Sequence, residues 1–146
     1  MKKLLLIFIL VILLSCKKNE VVDIDMDLKC PTVARVGSNT QAEGKWKLLQ
    51  GSTVFYDTRT VDYSCNEVIY DFRSNGIVII TSDIQELIGT NPGEHSYEFT
   101  RKPLFEGGNY FTIKINTNSV SCRISDGLMT LDDSAFDGPI LHLARM

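Results

Sequence analysis

Glu67-Val68-Ile69-Tyr70-Asp71-Phe72, then Arg73-Ser74-Asn75-Gly76, then Ile77-Val78-Ile79-Ile80-Thr81 is the stretch whose reading decides the fold. Its two flanking runs are rich in β-branched and aromatic residues, and the Asn-Gly between them tolerates the positive φ angles that tight hairpin turns demand. The stretch therefore reads as a β-hairpin. Toward the N-terminus, Lys45-Trp46-Lys47-Leu48 alternates polar and apolar residues as a half-buried strand does. A long loop carrying Tyr56, Arg59 and Tyr63 joins it to the hairpin. Toward the C-terminus, a connector at 82–93 holds one helical turn around Ile84 to Ile88 and closes with Asn91-Pro92-Gly93. Strands at 95–100 and 110–115 are separated by Pro103 and Gly107-Gly108. Three further turns, Asn116-Thr117-Asn118, Ser125-Asp126-Gly127 and Asp137-Gly138-Pro139, set off strands at 119–124, 128–132 and 140–145. These are eight short strands, most joined closely enough for adjacent antiparallel pairing. No segment after residue 15 shows a helix period longer than two turns. The predicted fold is all-β: an eight-stranded antiparallel up-and-down barrel, closed or nearly so, which removes both sheet edges.

The region before the barrel has a different chemistry. Lys2 and Lys3 precede an uncharged apolar run from Leu4 to Leu14, and Leu13-Leu14-Ser15-Cys16 closes it. That run is about half the roughly 20 residues a spanning helix needs. It has the form of a bacterial lipoprotein signal, cut by a peptidase just before a diacylated cysteine. Residues 1–15 are then a cleaved signal peptide, and Cys16 is the lipidated N-terminus. Its acyl chains bury many methylenes at about 0.8 kcal/mol each, giving stable attachment to a membrane. Lys17, rather than Asp, follows Cys16; under the sorting rule of enteric bacteria this favours the outer membrane. Cys16-Lys17-Lys18-Asn19-Glu20 also resembles lipoprotein starts of Bacteroidetes, some of which reach the cell surface. The expected location is the cell envelope, lipid-anchored, at the periplasmic face of the outer membrane or outside it.

Residues 16–42 read as the lipidated end and a flexible tether, with Lys17, Lys18, Glu20, Asp23, Asp25 and Asp27 among scattered apolar residues and a turn-rich Gly37-Ser38-Asn39-Thr40. Asp23-Ile24-Asp25-Met26-Asp27 resembles the opening of a calcium loop. Leu28 stands where the turn glycine belongs, however, and Ala34 where the bidentate Glu would fall. Residues 43–146 are the barrel domain. Loss of Lys2 and Lys3 takes 15 basic residues to 13 against 18 acidic, a balance of −5. That balance argues against nucleic acid or anionic lipid as a partner, since both reward clustered Lys and Arg. No Gly-x-Ser-x-Gly elbow, phosphate-cradling glycine loop or His-Glu-x-x-His occurs. Asp132 and Asp133 are adjacent on a strand and point to opposite faces, so they make no catalytic dyad. The two histidines are far apart and have no accompanying carboxylate motif, which leaves no metal site. No cofactor and no catalysis are expected.

Gly44-Lys45-Trp46-Lys47-Leu48 resembles the Gly-x-Trp element that opens the first strand of lipocalins and related calycins. Asn66 to Gly76, together with Asp137-Gly138-Pro139 and the near-terminal Arg145, is similar to small lipocalin-like lipoproteins of Bacteroidetes. The resemblance covers roughly residues 43–146. It implies that Trp46 plugs the closed end of the barrel and that Arg145 packs across its ring in a cation–π contact. The chain is shorter than classical lipocalins and ends at Met146, without the amphipathic helix that follows their last strand.

In a meander barrel the connections at 52–66 and 82–94 share the rim opposite the plug, where barrels bind ligands. Tyr56, Tyr63, His95, Tyr97 and His142 are the candidate ligand-binding residues, with Val120 and Cys122 entering from the strand at 119–124. His95 shares parity with Tyr97 and Phe99, which could turn it inward, although a strand-end histidine also suits solvent. His142 shares a face with Ile140 and Ala144, while Leu141 and Leu143 take the other; its direction stays open. Cys30, Cys65 and Cys122 allow one bridge in three pairings. Cys65 and Cys122 both fall nearer the open rim, so that pair is expected, with Cys30 free or a competitor. The bridge needs a flattened barrel or an inward loop to bring Cα atoms within about 7 Å.

Two functions compete. One is a lipid-anchored module binding a small apolar or amphipathic ligand at the rim. The other is a structural or interaction lipoprotein, an accessory subunit or inhibitor for an envelope partner, with a filled barrel and functional loops. An enclosed apolar pocket of about 300 Å³ or more supports the first, and a packed interior supports the second.

Overall fold

The computed structural model describes residues 21–24, 26–54, 59–103 and 109–146. The signal segment, Cys16 and Tyr56 lie outside the described residues. The strands are β1 (Val21–Asp23), β2 (Val33–Arg35), β3 (Gly44–Ser52), β4 (Thr60–Asp62), β5 (Ile69–Phe72), β6 (Ile77–Thr81), β7 (Gly93–Pro103), β8 (Asn109–Ile115), β9 (Asn118–Ser125), β10 (Leu128–Asp132) and β11 (Ile140–Arg145). Eight of them, β3 and β5 to β11, pair antiparallel in chain order, and β11 pairs back onto β3. The result is the expected closed eight-stranded up-and-down barrel. β4 is an addition, pairing with the last residues of β3 (Gln50↔Asp62) outside the eight-strand cycle.

The decisive hairpin forms as its sequence dictates. Arg73 N–H donates to Ile77 O at 2.9 Å, and Gly76 takes the left-handed conformation at φ 78°. A side chain disfavours that conformation and glycine does not. The strand period of two then sends alternate residues inward. Trp46, Leu48, Tyr70, Phe72, Val78, Ile80, Ile113, Met129 and Leu143 are each no more than 2 % exposed and fill the interior.

One irregularity in β3 creates a second core. Across the β3–β11 ladder His142 faces Gln50 while Leu143 faces Leu48, so Leu49 is the extra residue of a bulge. Two consecutive leucines are thereby both buried: Leu48 inside the barrel and Leu49 on its outer wall. Leu49 packs there with Ala34 and Ala144, and Ile24, Met26, Leu28 and Leu128 close around them.

That outer core overturns the expectation of a flexible tether for the described part of 16–42. β1 and β2 pair antiparallel (Val22↔Ala34) and lie along the wall, with β2 against β11. Ile24, Met26 and Leu28, which alternate with aspartates in sequence, converge with Ala34 on one face. The chain is also clasped at the far end of this hairpin. Lys29 N–H donates to Asp62 Oδ2 at 2.6 Å and Cys30 N–H to Ser64 Oγ at 2.9 Å.

The same clasp corrects the disulfide. Cys30 is bridged to Cys65, with Cα atoms 5.1 Å apart, and Cys122 is a free, buried thiol. Cys65 is exposed on the turn after β4, whereas Cys122 points into the packed interior opposite Phe111 and Leu131. The barrel core separates the expected pair. In the chain-entropy picture, closing a loop of this length stabilises by about 3–4 kcal/mol.

Residues 82–92 also differ from expectation, since they form bends rather than a helical turn. Ser82 Oγ accepts from Ile84 N–H at 3.0 Å and donates to Ile84 O at 2.7 Å, taking up backbone groups that a helix would pair elsewhere. Ile84, Leu87 and Ile88 instead face down onto the barrel core.

Candidate functional site at the barrel mouth

The two ends of the barrel are sealed by different means. At the plug end, Trp46 Nε1–H donates to Ala42 O at 2.7 Å, and the Arg145 guanidinium carbon sits 4.2 Å from the Trp46 ring centroid. Arg145 also donates to the carbonyls of Ser38 (2.8 Å), Gln41 (3.1 Å) and Glu43 (3.3 Å). One side chain thus ties the last strand to the segment entering the first. At the opposite mouth, the connector 82–92 folds over the opening. Tyr63 is 2 % exposed, and its Oη accepts Ile88 N–H at 2.9 Å, which fastens the connector down.

Beneath this cover lies a cavity of about 130 Å³ between the connector, the β8–β9 turn and the β10–β11 loop, lined by Tyr70, Gly89, Thr90, Ile115, Asn118, Val120, Leu131, Asp133, Pro139 and Leu141. Asp133 follows the last residue of β10 and is buried, 8 % exposed. Its carbonyl accepts the N–H groups of Phe136 (2.9 Å) and Gly138 (3.0 Å), and its Oδ2 accepts Asn118 Nδ2 at 3.1 Å. A Cβ at Gly138 would fall on the Asp133 carboxyl, so the loop closes this tightly only with glycine there. Asp132, its neighbour, faces the other way. It accepts Ser134 N–H at 2.9 Å, and hydrogen bonds from Ser134 hold its carboxyl below the usual value against the opposing effect of burial.

Two polar atoms at this mouth, Tyr70 Oη and Asp133 Oδ1, are buried without a hydrogen-bond partner. Burial pushes the Tyr70 phenol well above its ordinary range, and the neighbouring Tyr63 adds to the effect. An approach of the Thr90 backbone N–H opposes it, short of the geometry that would give Tyr70 Oη a full hydrogen-bond partner.

None of the described sequence-predicted ligand residues lines this cavity. Tyr63 is a fastener of the cover. His95 brackets the connector to the β8–β9 turn, with Nε2 2.8 Å from Asn91 O and Nδ1 3.0 Å from Asn116 Nδ2. Tyr97 belongs to the plug side. Its hydroxyl donates to Arg73 O at 2.8 Å, and its ring meets Phe72 edge-on with centroids 5.0 Å apart. His142 is on the outer wall, because Leu141 and Leu143 take the inward positions of β11. It lies 3.3 Å from Thr130 Oγ1; burial lowers its pKa, and Asp132 acts in the opposite direction. Of the residues expected to enter from β9, Val120 does line the cavity. Cys122 sits deeper, its thiol pushed up to about 12 by burial and so far from the thiolate that reacts.

Tyr70, Asn118 and Asp133 are the residues sequence reasoning missed. Tyr70 carries the parity of a core residue, and Asp133 was legible as the carboxyl opposite Asp132 but not as a buried one. Among the described residues no group of three or more His, Cys, Asp or Glu side chains is placed to hold a metal ion. The fold and mouth together define a closed, filled meander barrel with a small covered cavity at one end. In comparisons with known proteins the chain matches no family model, no curated protein and no solved structure.

Proposed function

We propose that the chain is a lipid-anchored, non-enzymatic envelope protein of lipocalin-like architecture that acts as an interaction module, an accessory subunit or inhibitor. In this reading the barrel is a scaffold and its mouth loops make the contacts. The filled interior supports it most directly. Trp46, Tyr70 and Phe72 occupy the space a large ligand would need, and the mouth cavity of about 130 Å³ falls short of the roughly 300 Å³ of a pocket for a drug-sized ligand. The anchor rests on the Leu13-Leu14-Ser15-Cys16 pattern. The mouth loops supply exposed apolar surface: Phe136 is 81 % exposed and Val54 42 %. An isolated aromatic ring at that exposure is the kind of group that anchors a protein contact.

A photo-crosslinking residue placed at Phe136 in intact cells should give one discrete protein adduct. The same residue placed at Lys114, exposed on β8, should give none. Absence of an adduct at Phe136, with a large apolar molecule retained by the protein in native mass spectrometry, would reverse the reading in favour of a ligand carrier.

A further inference from the structure

Beyond an interaction role, the mouth cavity has the chemistry of a binding site. Tyr70 is fully buried and Asp133 is 92 % buried, yet each has an oxygen with no partner, and both residues line the same small space. Buried polar atoms are almost always paired, so two orphans in one cavity point to a missing third party. Asp133 is fixed by Asn118 through Oδ2, which leaves Oδ1 unbonded. No Lys or Arg offsets it: among the described residues the ion pair formed is Arg73–Asp71, elsewhere on the barrel. Around this acid the walls are apolar, from Ile115, Val120 and Leu131.

Size narrows the occupant. A dry cavity of about 150 Å³ accepts benzene, so about 130 Å³ suits a body of no more than about six non-hydrogen atoms, or about four waters. A carboxylate in apolar surroundings favours a cation over a neutral group and repels an anion. We propose that this cavity binds a compact primary amine. Its ammonium group donates to Asp133 Oδ1, its hydrocarbon body lies against Ile115, Val120 and Leu131, and Tyr70 Oη accepts a second N–H. An alcohol of the same shape reaches the same atoms but leaves the carboxylate charge unopposed. Charge-assisted hydrogen bonds are roughly twice as strong as neutral ones, so the amine is preferred.

The test uses the full chain purified from membranes in non-ionic micelles, with methyl-detected NMR and three probes of matched size: cyclopentylamine, cyclopentanol and cyclopropanecarboxylate. Cyclopentylamine should shift the Ile115, Val120 and Leu131 methyl groups saturably, with a dissociation constant on the order of 1 mM or tighter, and the carboxylate should shift none of them. Asp133→Asn should weaken the amine by about tenfold or more and leave cyclopentanol within about twofold. Val120→Phe fills the cavity from β9 with every residue of the Asp133 loop unchanged and should abolish binding, which keeps the test decisive if Asp133→Asn does not fold. Cyclopentanol or the carboxylate binding as tightly as the amine would overturn the amine assignment. So would an unchanged amine affinity in Asp133→Asn. Saturable shifts from no probe would mean a cavity filled by water alone and would overturn the site itself.

Discussion

Tyr70 is the residue at which packing and polarity conflict. Its ring fills the barrel beside Phe72, with centroids 6.3 Å apart, while its hydroxyl is buried with no hydrogen-bond partner. The ring accounts for the stabilisation, because a fully buried aromatic side chain is worth about 1.5–3 kcal/mol relative to exposure. The hydroxyl opposes it, since an unpaired buried polar group costs about 1–3 kcal/mol. Tyr70→Phe keeps the ring and removes the liability. In the ligand-free protein this variant should be as stable as the wild type or more stable by up to about 1 kcal/mol, read as an equal or higher urea midpoint. A loss of more than about 1 kcal/mol would mean that the hydroxyl has a partner, the usual cost of deleting one side of a buried hydrogen bond. Deleting the phenol of Tyr63 is a useful contrast, because Tyr63 Oη accepts Ile88 N–H and its loss leaves that amide unpaired.

At the scale of elements, the segment before β3 is a strut along the wall, held by the Leu49–Ala34–Ala144 cluster, by Cys30–Cys65 and by Asp62. Burial alone would raise the Asp62 carboxyl, but hydrogen bonds from Ser64 and Lys29 outweigh it and hold the group below its ordinary 3.8. A depressed carboxyl pKa contributes stability that is complete above the unfolded value and is lost as pH falls through the folded one. Replacing both Cys30 and Cys65 by Ser should cost about 3–4 kcal/mol at pH 7, measured by thermal unfolding. With the bridge gone, Asp62 is a main clasp at that end of the strut. Amide protection at positions 29 and 30 in the double variant should therefore fall as pH drops below about 3.8, and Asp62→Asn should remove that pH dependence. Protection that is equal at pH 3 and pH 6 would show that the clasp does not depend on the charge. This strut was the least legible part of the sequence, for a physical reason. Ile24, Met26 and Leu28 do alternate with Asp23, Asp25 and Asp27 as a strand does, but so acidic a stretch reads as a solvated linker, and the burial of these residues comes from a wall that exists only after the barrel closes. The eight barrel strands were legible because each carries its own local period and turn. The mouth was legible as a place, from loop lengths, but not in its residues. A buried Asp and an exposed one look alike in sequence, and what buries Asp133 is the tight Gly138 turn together with Asn118 from another strand.

For the whole molecule, the strut changes what the lipid anchor would do. β1 begins at Val21, which pairs with Arg35; the backbone of Arg35 lies against Gly127 in the β9–β10 turn, beside the plug end. Gly127 has φ 77°, and a Cβ there would strike the Arg35 carbonyl, so this approach depends on glycine. If Cys16 carries the lipid, as proposed, five peptide steps separate it from Val21 and reach at most about 18 Å. A tether of that length would hold the barrel against the bilayer with the plug end inward. The surface near Val21 is suited to such a position. Val21, Val33 and Met146 are about half exposed and line one shallow groove with Arg35, combining apolar groups with a long basic side chain. The mouth, with Phe136, then faces away and is free to meet a partner. Single cysteines introduced at Ser125 (plug end) and Ala135 (mouth loop) can be labelled selectively, because Cys30 and Cys65 are bridged and Cys122 is buried. In vesicles carrying headgroup quenchers, the Ser125 label should be quenched strongly and the Ala135 label weakly. Cys16→Ala should release the protein from the membrane fraction and abolish the difference. Equal quenching at the two sites would refute the fixed orientation, and membrane retention of Cys16→Ala with no acyl mass on the wild type would refute the anchor. The two refutations are separable, because a long flexible leash predicts attachment without orientation, whereas the strut predicts both together.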